Sequence, residues 1–114
     1  MLDRDIEEDI RKFVRERDWE QFHTPKDLAI SISLEAAELL EKFQWSGGDT
    51  EVERNREGMK EELADIFMYC FMMADAIGAD PKVIIREKLV ANRKKYPVSL
   101  AYGNARKYTE FQKG

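Results

Sequence analysis

The chain predicts an all-α fold, and three observations carry that expectation. Apolar residues recur every three to four positions in four successive segments, helix-starting and helix-stopping residues stand at the segment edges, and no stretch alternates as a half-buried strand would. Four helices joined by short connections predict an antiparallel four-helix bundle. A chain of 114 residues, 43% hydrophobic and 37% charged, reads as one globular domain over 1–114.

The first helix, about 3–19, starts with Asp3 or Asp5 as cap and carries Ile6, Ile10, Phe13 and Val14 on one stripe. His23-Thr24-Pro25 breaks the chain. Thr24 then caps a second helix, with Pro25 in its first turn, over about 25–45. Its wheel is apolar over a wide arc (Ile30, Leu34, Ala37, Leu40), leaving one flank for Ser31, Glu35, Glu38 and Lys42. Ser46-Gly47-Gly48-Asp49 opens a polar loop to about Asn55, which the composition predicts to be the most mobile segment. A third helix covers about 56–77 with Gly78 as its stop. Asp80-Pro81 starts a fourth, about 81–96, because Pro97 disfavours helix at the residue before it. The remainder reads as an extended C-terminal tail.

The third helix is apolar on more sides than one small bundle covers. Its core, LADIFMYCFMMA from Leu63 to Ala74, predicts a homo-oligomer that buries the excess. This run is far shorter than the roughly 20 residues of a membrane span, and the N-terminal segment lacks an apolar signal core. Cys70 is the single cysteine, so no intrachain disulfide forms and a reducing, cytoplasmic setting is expected. A net charge of −4 disfavours a nucleic-acid polymer as partner.

Chemistry concentrates in acids. Glu35 and Glu38 form E-x-x-E; after 23 intervening residues, Glu62 and Asp65 form E-x-x-D on a face expected to be buried with Tyr69, Met72 and Met73. Acids three apart share one helical face, and any solvated face shows such pairs. For the second pair, a buried salt bridge with Lys42, Lys60 or Lys88 is the competing explanation. Four carboxylates from two adjacent helices suit Mg²⁺, with Mn²⁺ as substitute, since hard cations prefer oxygen ligands. Carboxylate-bound magnesium keeps positions for water and phosphates, so a phosphorylated metabolite is the expected ligand. Lys88, Asn92 and Lys95 share one face of the fourth helix beside Arg93, either as solvated basic surface or as partners of a phosphate and sugar. Trp19 and Trp45, ending the first two helices, are core residues or stacking surfaces for a base. His23, the only histidine, is a loop residue satisfied by backbone or a contact to a base or phosphate. Tyr69 is either core or one wall of a sugar pocket.

EAAELLEKFQW followed by EELADIFMY resembles the MazG-like all-α nucleoside triphosphate pyrophosphohydrolases. RDWEQFHTP and ANRKKYPVSLAYGNARKYT extend the similarity, over about residues 10–112, to the dCTP-hydrolysing branch of that superfamily. The resemblance implies Mg²⁺ ligation by Glu35, Glu38, Glu62 and Asp65, and base contacts from Trp19 through His23, Gln21 included, and from Trp45. It places Tyr69 and Asn92 in the sugar and base pocket and implies a tetramer built as a dimer of dimers. The implied reaction converts a nucleoside triphosphate, dCTP or a modified dCTP, and water to the monophosphate and pyrophosphate, a house-cleaning role. Glu38 is the expected general base. Two other readings stand beside this one: a MazG-like hydrolase of other or broad nucleotide choice, and a non-catalytic helical module that binds nucleotide or assembles.

Overall fold

A computed structural model describes residues 2–43 and 55–111. In order these form α1 (Arg4–Glu16), a short 3-10 turn η1 (Glu20–Phe22), α2 (Pro25–Leu40), α3 (Arg56–Ala76), α4 (Pro81–Lys95), α5 (Val98–Ala101) and α6 (Tyr108–Phe111). No strand occurs among the described residues, as expected of an all-α chain. The chain divides into two compact units, Met1–Ala79 and Asp80–Gly114.

The first helix is shorter than its apolar stripe suggests, and the reason is backbone chemistry. Asp18 adopts φ +54°, a left-handed conformation that halts an α-helix. The Asp18 amide donates to the Arg15 carbonyl (3.0 Å) and the Trp19 amide to the Val14 carbonyl (3.1 Å), the paired bonds of a Schellman stop. Asn or Gly is the usual residue there, so an Asp gave no stop signal. Asp3 stands at the N-cap, but its backbone carbonyl rather than its side chain takes the first bond, from the Glu7 amide.

The start of α2 follows expectation. Thr24 Oγ1 accepts from the Asp27 amide at 3.1 Å and donates to the Asp27 carboxylate at 2.9 Å, with Pro25 in the first turn. Past Leu40 only turn structure to Phe43 is described; the expected continuation to 45, with Trp45, and the expected mobile loop fall largely outside the described residues. Asn55 Nδ2 donates to the Lys42 carbonyl at 2.7 Å, tying the end of α2 to the start of α3. At its far end α3 stops on a second Schellman pair, the Gly78 amide to the Asp75 carbonyl and the Ala79 amide to the Ala74 carbonyl. Gly78 holds φ +69° there, a conformation that glycine adopts without the Cβ penalty.

Helices α2 and α3 run antiparallel. Lys42 lies against Gly58, Glu35 beside Glu62 and Asp65, and Leu28 in one cluster with Phe71 and Met72, so numbers fall on one helix as they rise on the other. The core joins this hairpin to α1: Ile10, Val14, Leu28, Phe71 and Met72, with Leu2, Met68, Tyr69 and Met73 packed around it. Arg11 straps α1 to α3 by a two-pronged ion pair with Asp75, Nε at 2.8 Å and Nη2 at 3.0 Å. That hydrogen-bonded partner pushes the already high Arg11 pKa further up.

Much of the apolar surface is uncovered. Of the α1 stripe only Ile10 and Val14 are buried, and on α2 the expected apolar arc keeps Ile30, Leu34 and Leu40 exposed. Leu63 and Phe67 of α3 are also exposed. The second unit holds α4, capped by Asp80 accepting from the Lys82 amide at 2.9 Å. Its tail is not extended as expected: α5 and α6 form, and Tyr108 and Phe111 pack edge-on against Tyr96, each with ring centroids 6.1 Å apart. Aromatic burial against Tyr96 gives the tail a reason to turn back and coil. No helix among the described residues is long and apolar enough to cross a membrane.

Candidate functional site

Two turns up the hairpin from the core, the acids meet. Glu35 is seven residues beyond Leu28, and Asp65 seven before Met72, about 10 Å of helix in each case. Seven residues make two turns, which puts these acids on the stripe that faces the neighbouring helix. One carboxylate oxygen from each of Glu35, Glu62 and Asp65 lies within 4.8 Å of the other two. Glu38, one turn on along α2, is exposed but close enough for its carboxylate to act on that of Glu35.

The electrostatics of this cluster are unfavourable without a cation. Burial comes first, then the adjoining carboxylates of Glu62 and Glu38, then the Asp65 charge; together they push Glu35 from 4.5 up to about 7. Glu35 Oε2 and Glu62 Oε2 are buried without a hydrogen-bond partner. Buried polar atoms are nearly always satisfied, and here both orphaned atoms are carboxyl oxygens of residues in one acidic cluster. An oxygen-only donor set of this kind fits a hard divalent cation and lacks the nitrogen and sulfur donors that favour zinc.

Among the described residues, the competing salt-bridge explanation is met at one edge. Lys42 Nζ stands 3.9 Å from Glu62 Oε1, at the limit of ion pairing, and Lys60 turns away to Glu57 at 3.2 Å. A Cβ on Gly58 would lie 3.2 Å from Lys42 Cδ, so this glycine opens the slot along which the lysine stem runs. One lysine at the rim leaves the two orphaned oxygens untouched. Asp65 differs from expectation in being exposed, although it interrupts an apolar run. It lies before the stretch of α3 that joins the core, Met68 to Met73.

The other site residues named from the sequence separate into groups. Trp19 sits edge-on to Phe13 (5.6 Å between centroids) and to His23 (6.5 Å) and remains 41% exposed. Gln21 bonds within its own turn, Nε2 donating to the Asp18 carbonyl and carboxylate, both at 3.0 Å. His23 is half-buried and lines a cavity. Tyr69 packs against the core, one turn beyond Asp65. Trp45 lies outside the described residues. Lys88, Asn92, Arg93 and Lys95 belong to α4 in the second unit, where Lys95 Nζ stands over the Tyr108 ring at 4.8 Å, spending part of the basic stripe on the tail.

Sequence reasoning missed the cavity. It measures about 330 Å³, opens between α1, η1 and α3, and is lined by Ile10, Val14, Phe71 and Met72 together with the polar side chains of Arg11, Arg15, Glu20, His23 and Asp75. Such a size is the lower end of the small-ligand range. Arg11 and Asp75 are 64 residues apart, and neither carries a local motif, so only an alternating-sign pairing across helices would have suggested them.

Comparison with known proteins agrees with this arrangement. The model of the MazG-like family matches residues 30–111, a span that contains all four acids. Human dCTP pyrophosphatase 1 is 39% identical over 94% of this chain and 68% of its own length, and the bovine enzyme of that name is 40% identical over 94% and 69%. The solved structure of a pyrophosphatase from Archaeoglobus fulgidus superposes with a TM-score of 0.76 at 38% identity, covering 85% of this chain and 96% of that one. An all-α hairpin bringing two acid pairs together, and these similarities over most of its length, establish that the chain belongs to the MazG-like family.

Proposed function

We propose that the chain is a divalent-metal-dependent nucleotide pyrophosphohydrolase that converts dCTP, or a modified dCTP, to the monophosphate and pyrophosphate. The observation that carries this is the convergence of Glu35, Glu62 and Asp65 within 4.8 Å with two buried, unpartnered oxygens. The similarity to dCTP pyrophosphatases supports the nucleotide assignment.

Magnesium, with manganese as substitute, fits the donor set; when bound it neutralises phosphate charge and lowers the pKa of water. Glu35, Glu62 and Asp65 would hold it, and Glu38 stands one turn further along α2. Exposed and outside the cluster of three, the Glu38 carboxylate is free to take the proton of the attacking water. Trp19 and His23, edge-on to each other, are the candidates for receiving the base, and Tyr69, one turn beyond Asp65 on α3, is the candidate for the sugar side. Lys88, Asn92, Arg93 and Lys95 remain candidates for phosphate and sugar contact from α4, as Trp45 does for stacking. The lone cysteine supports a reducing, cytoplasmic setting.

The test is pyrophosphate release from a panel of nucleoside triphosphates with and without Mg²⁺. Release that needs the metal and is fastest with dCTP or its modified forms is expected. Equal rates on every nucleotide would remove the stated preference, and no metal-dependent release would remove the enzyme reading in favour of an assembly module.

The exposed apolar side chains Ile30, Leu34, Leu63 and Phe67 support a homo-oligomer, a tetramer arranged as a dimer of dimers. Scattering or sedimentation at micromolar concentration should therefore give a multiple of the 13.4 kDa chain mass, four being the expected number. A monomer at that concentration would contradict it.

A further inference from the structure

We infer that Asp75, fixed by Arg11, is a specificity-determining residue that reads the amino edge of the nucleobase in the cavity between α1, η1 and α3. The inference deepens the nucleotide reading above and rests on it.

The cavity has the composition a base requires. Ile10, Val14, Phe71 and Met72 make part of its lining apolar, and the polar side chains in it are those of Arg11, Arg15, Glu20, His23 and Asp75. It also lies at a suitable distance: Met72 and Ala76 of its lining follow Asp65 on α3 by seven and eleven residues, so the cavity begins about two turns from the acid cluster. A nucleotide that spans those two turns with its phosphates on the acids brings its base to the cavity.

Among these polar side chains, the Arg11 and Asp75 pair is held in place. Arg11 Nε and Nη2 donate to the two Asp75 oxygens at 2.8 and 3.0 Å, Nη1 donates to Glu8 at 2.8 Å, and the guanidinium lies 5.0 Å above the Phe71 ring. A two-pronged bond fixes orientation as well as distance. Three of five guanidinium N–H groups are thereby used, and each Asp75 oxygen keeps a further lone pair. The pair presents an acceptor beside a donor. Cytosine offers the complement, an exocyclic amine that donates beside a ring nitrogen that accepts, whereas uracil and thymine offer a carbonyl beside an N–H. A keto base would set its carbonyl against the carboxylate and leave a donor and an acceptor mismatched.

The test is calorimetric binding of dCMP and dUMP to the intact protein with Mg²⁺ present, in the wild type and in Asp75→Asn, alongside wild-type turnover of triphosphates. Asn keeps the shape of Asp75 but places an amide donor where an acceptor stood. The wild type should prefer dCMP by about tenfold or more, and Asp75→Asn should bring the ratio to near one or invert it. Arg11→Met, which frees the carboxylate from its anchor, should weaken dCMP binding and narrow the same ratio. An Asp75→Asn protein that retains the wild-type ratio, even with both affinities lowered together, would show a structural role only and overturn the inference, as would a wild type without preference. Wild-type turnover separates the two readings: hydrolysis with an unaltered ratio sinks this assignment alone, and no hydrolysis sinks both.

Discussion

Glu38→Gln is expected to lower turnover at saturating nucleotide by about 10²- to 10⁴-fold, the usual contribution of a positioned general base. The amide has the shape of the carboxylate but takes no proton. Glu35, Glu62 and Asp65, whose oxygens cluster independently of Glu38, remain to hold the cation and its nucleotide. Binding of a non-hydrolysable triphosphate should accordingly stay measurable. Pre-steady-state turnover and calorimetry on the same variant check this, and a variant that turns over at the wild-type rate would take the base role away from Glu38.

Glu35→Gln should act in opposite directions on the metal-free and metal-bound protein. In the metal-free chain the folded state holds the Glu35 proton up to about pH 7, while an unperturbed glutamate releases it near 4.5. Below pH 4.5 both states are protonated and there is no penalty. Between the two values the folded state binds more protons than the unfolded one, so stability falls as pH rises, and above pH 7 the full cost of the crowded anion is present. Glutamine removes that cost, on the order of 1–3 kcal/mol after allowance for solvent around a half-buried group. Its metal-free melting temperature at pH 8 should rise by about 5 °C or more, and the slope between pH 4.5 and 7 should flatten. Mg²⁺ affinity should instead fall by about tenfold or more, because losing a ligand costs at least as much as losing a group that merely orients one. Thermal melts at several pH values, with and without Mg²⁺, measure both effects. A metal-free variant no more stable than the wild type at pH 8 would mean that the cluster relieves its repulsion in some other way.

The sequence by itself determined the helices and the acids. Thr24-Pro25 and Asp80-Pro81 are local capping chemistry, and the E-x-x-E and E-x-x-D spacings put each pair on one face whatever the surroundings. Local signals failed where a residue acted against its type. Asp18 ends α1 from a left-handed conformation, and the tail coils because Tyr108 and Phe111 meet Tyr96, a preference that no alternation or cap announces. Tertiary structure alone decided that Glu35, Glu62 and Asp65 share one cluster with Lys42 at its edge, that Asp65 stays exposed, and that Arg11 crosses to Asp75 over a cavity. Spacing along a helix is a property of the backbone and travels with the sequence. Which faces meet depends on how two helices pack, and residues 64 apart become neighbours only once that packing is made.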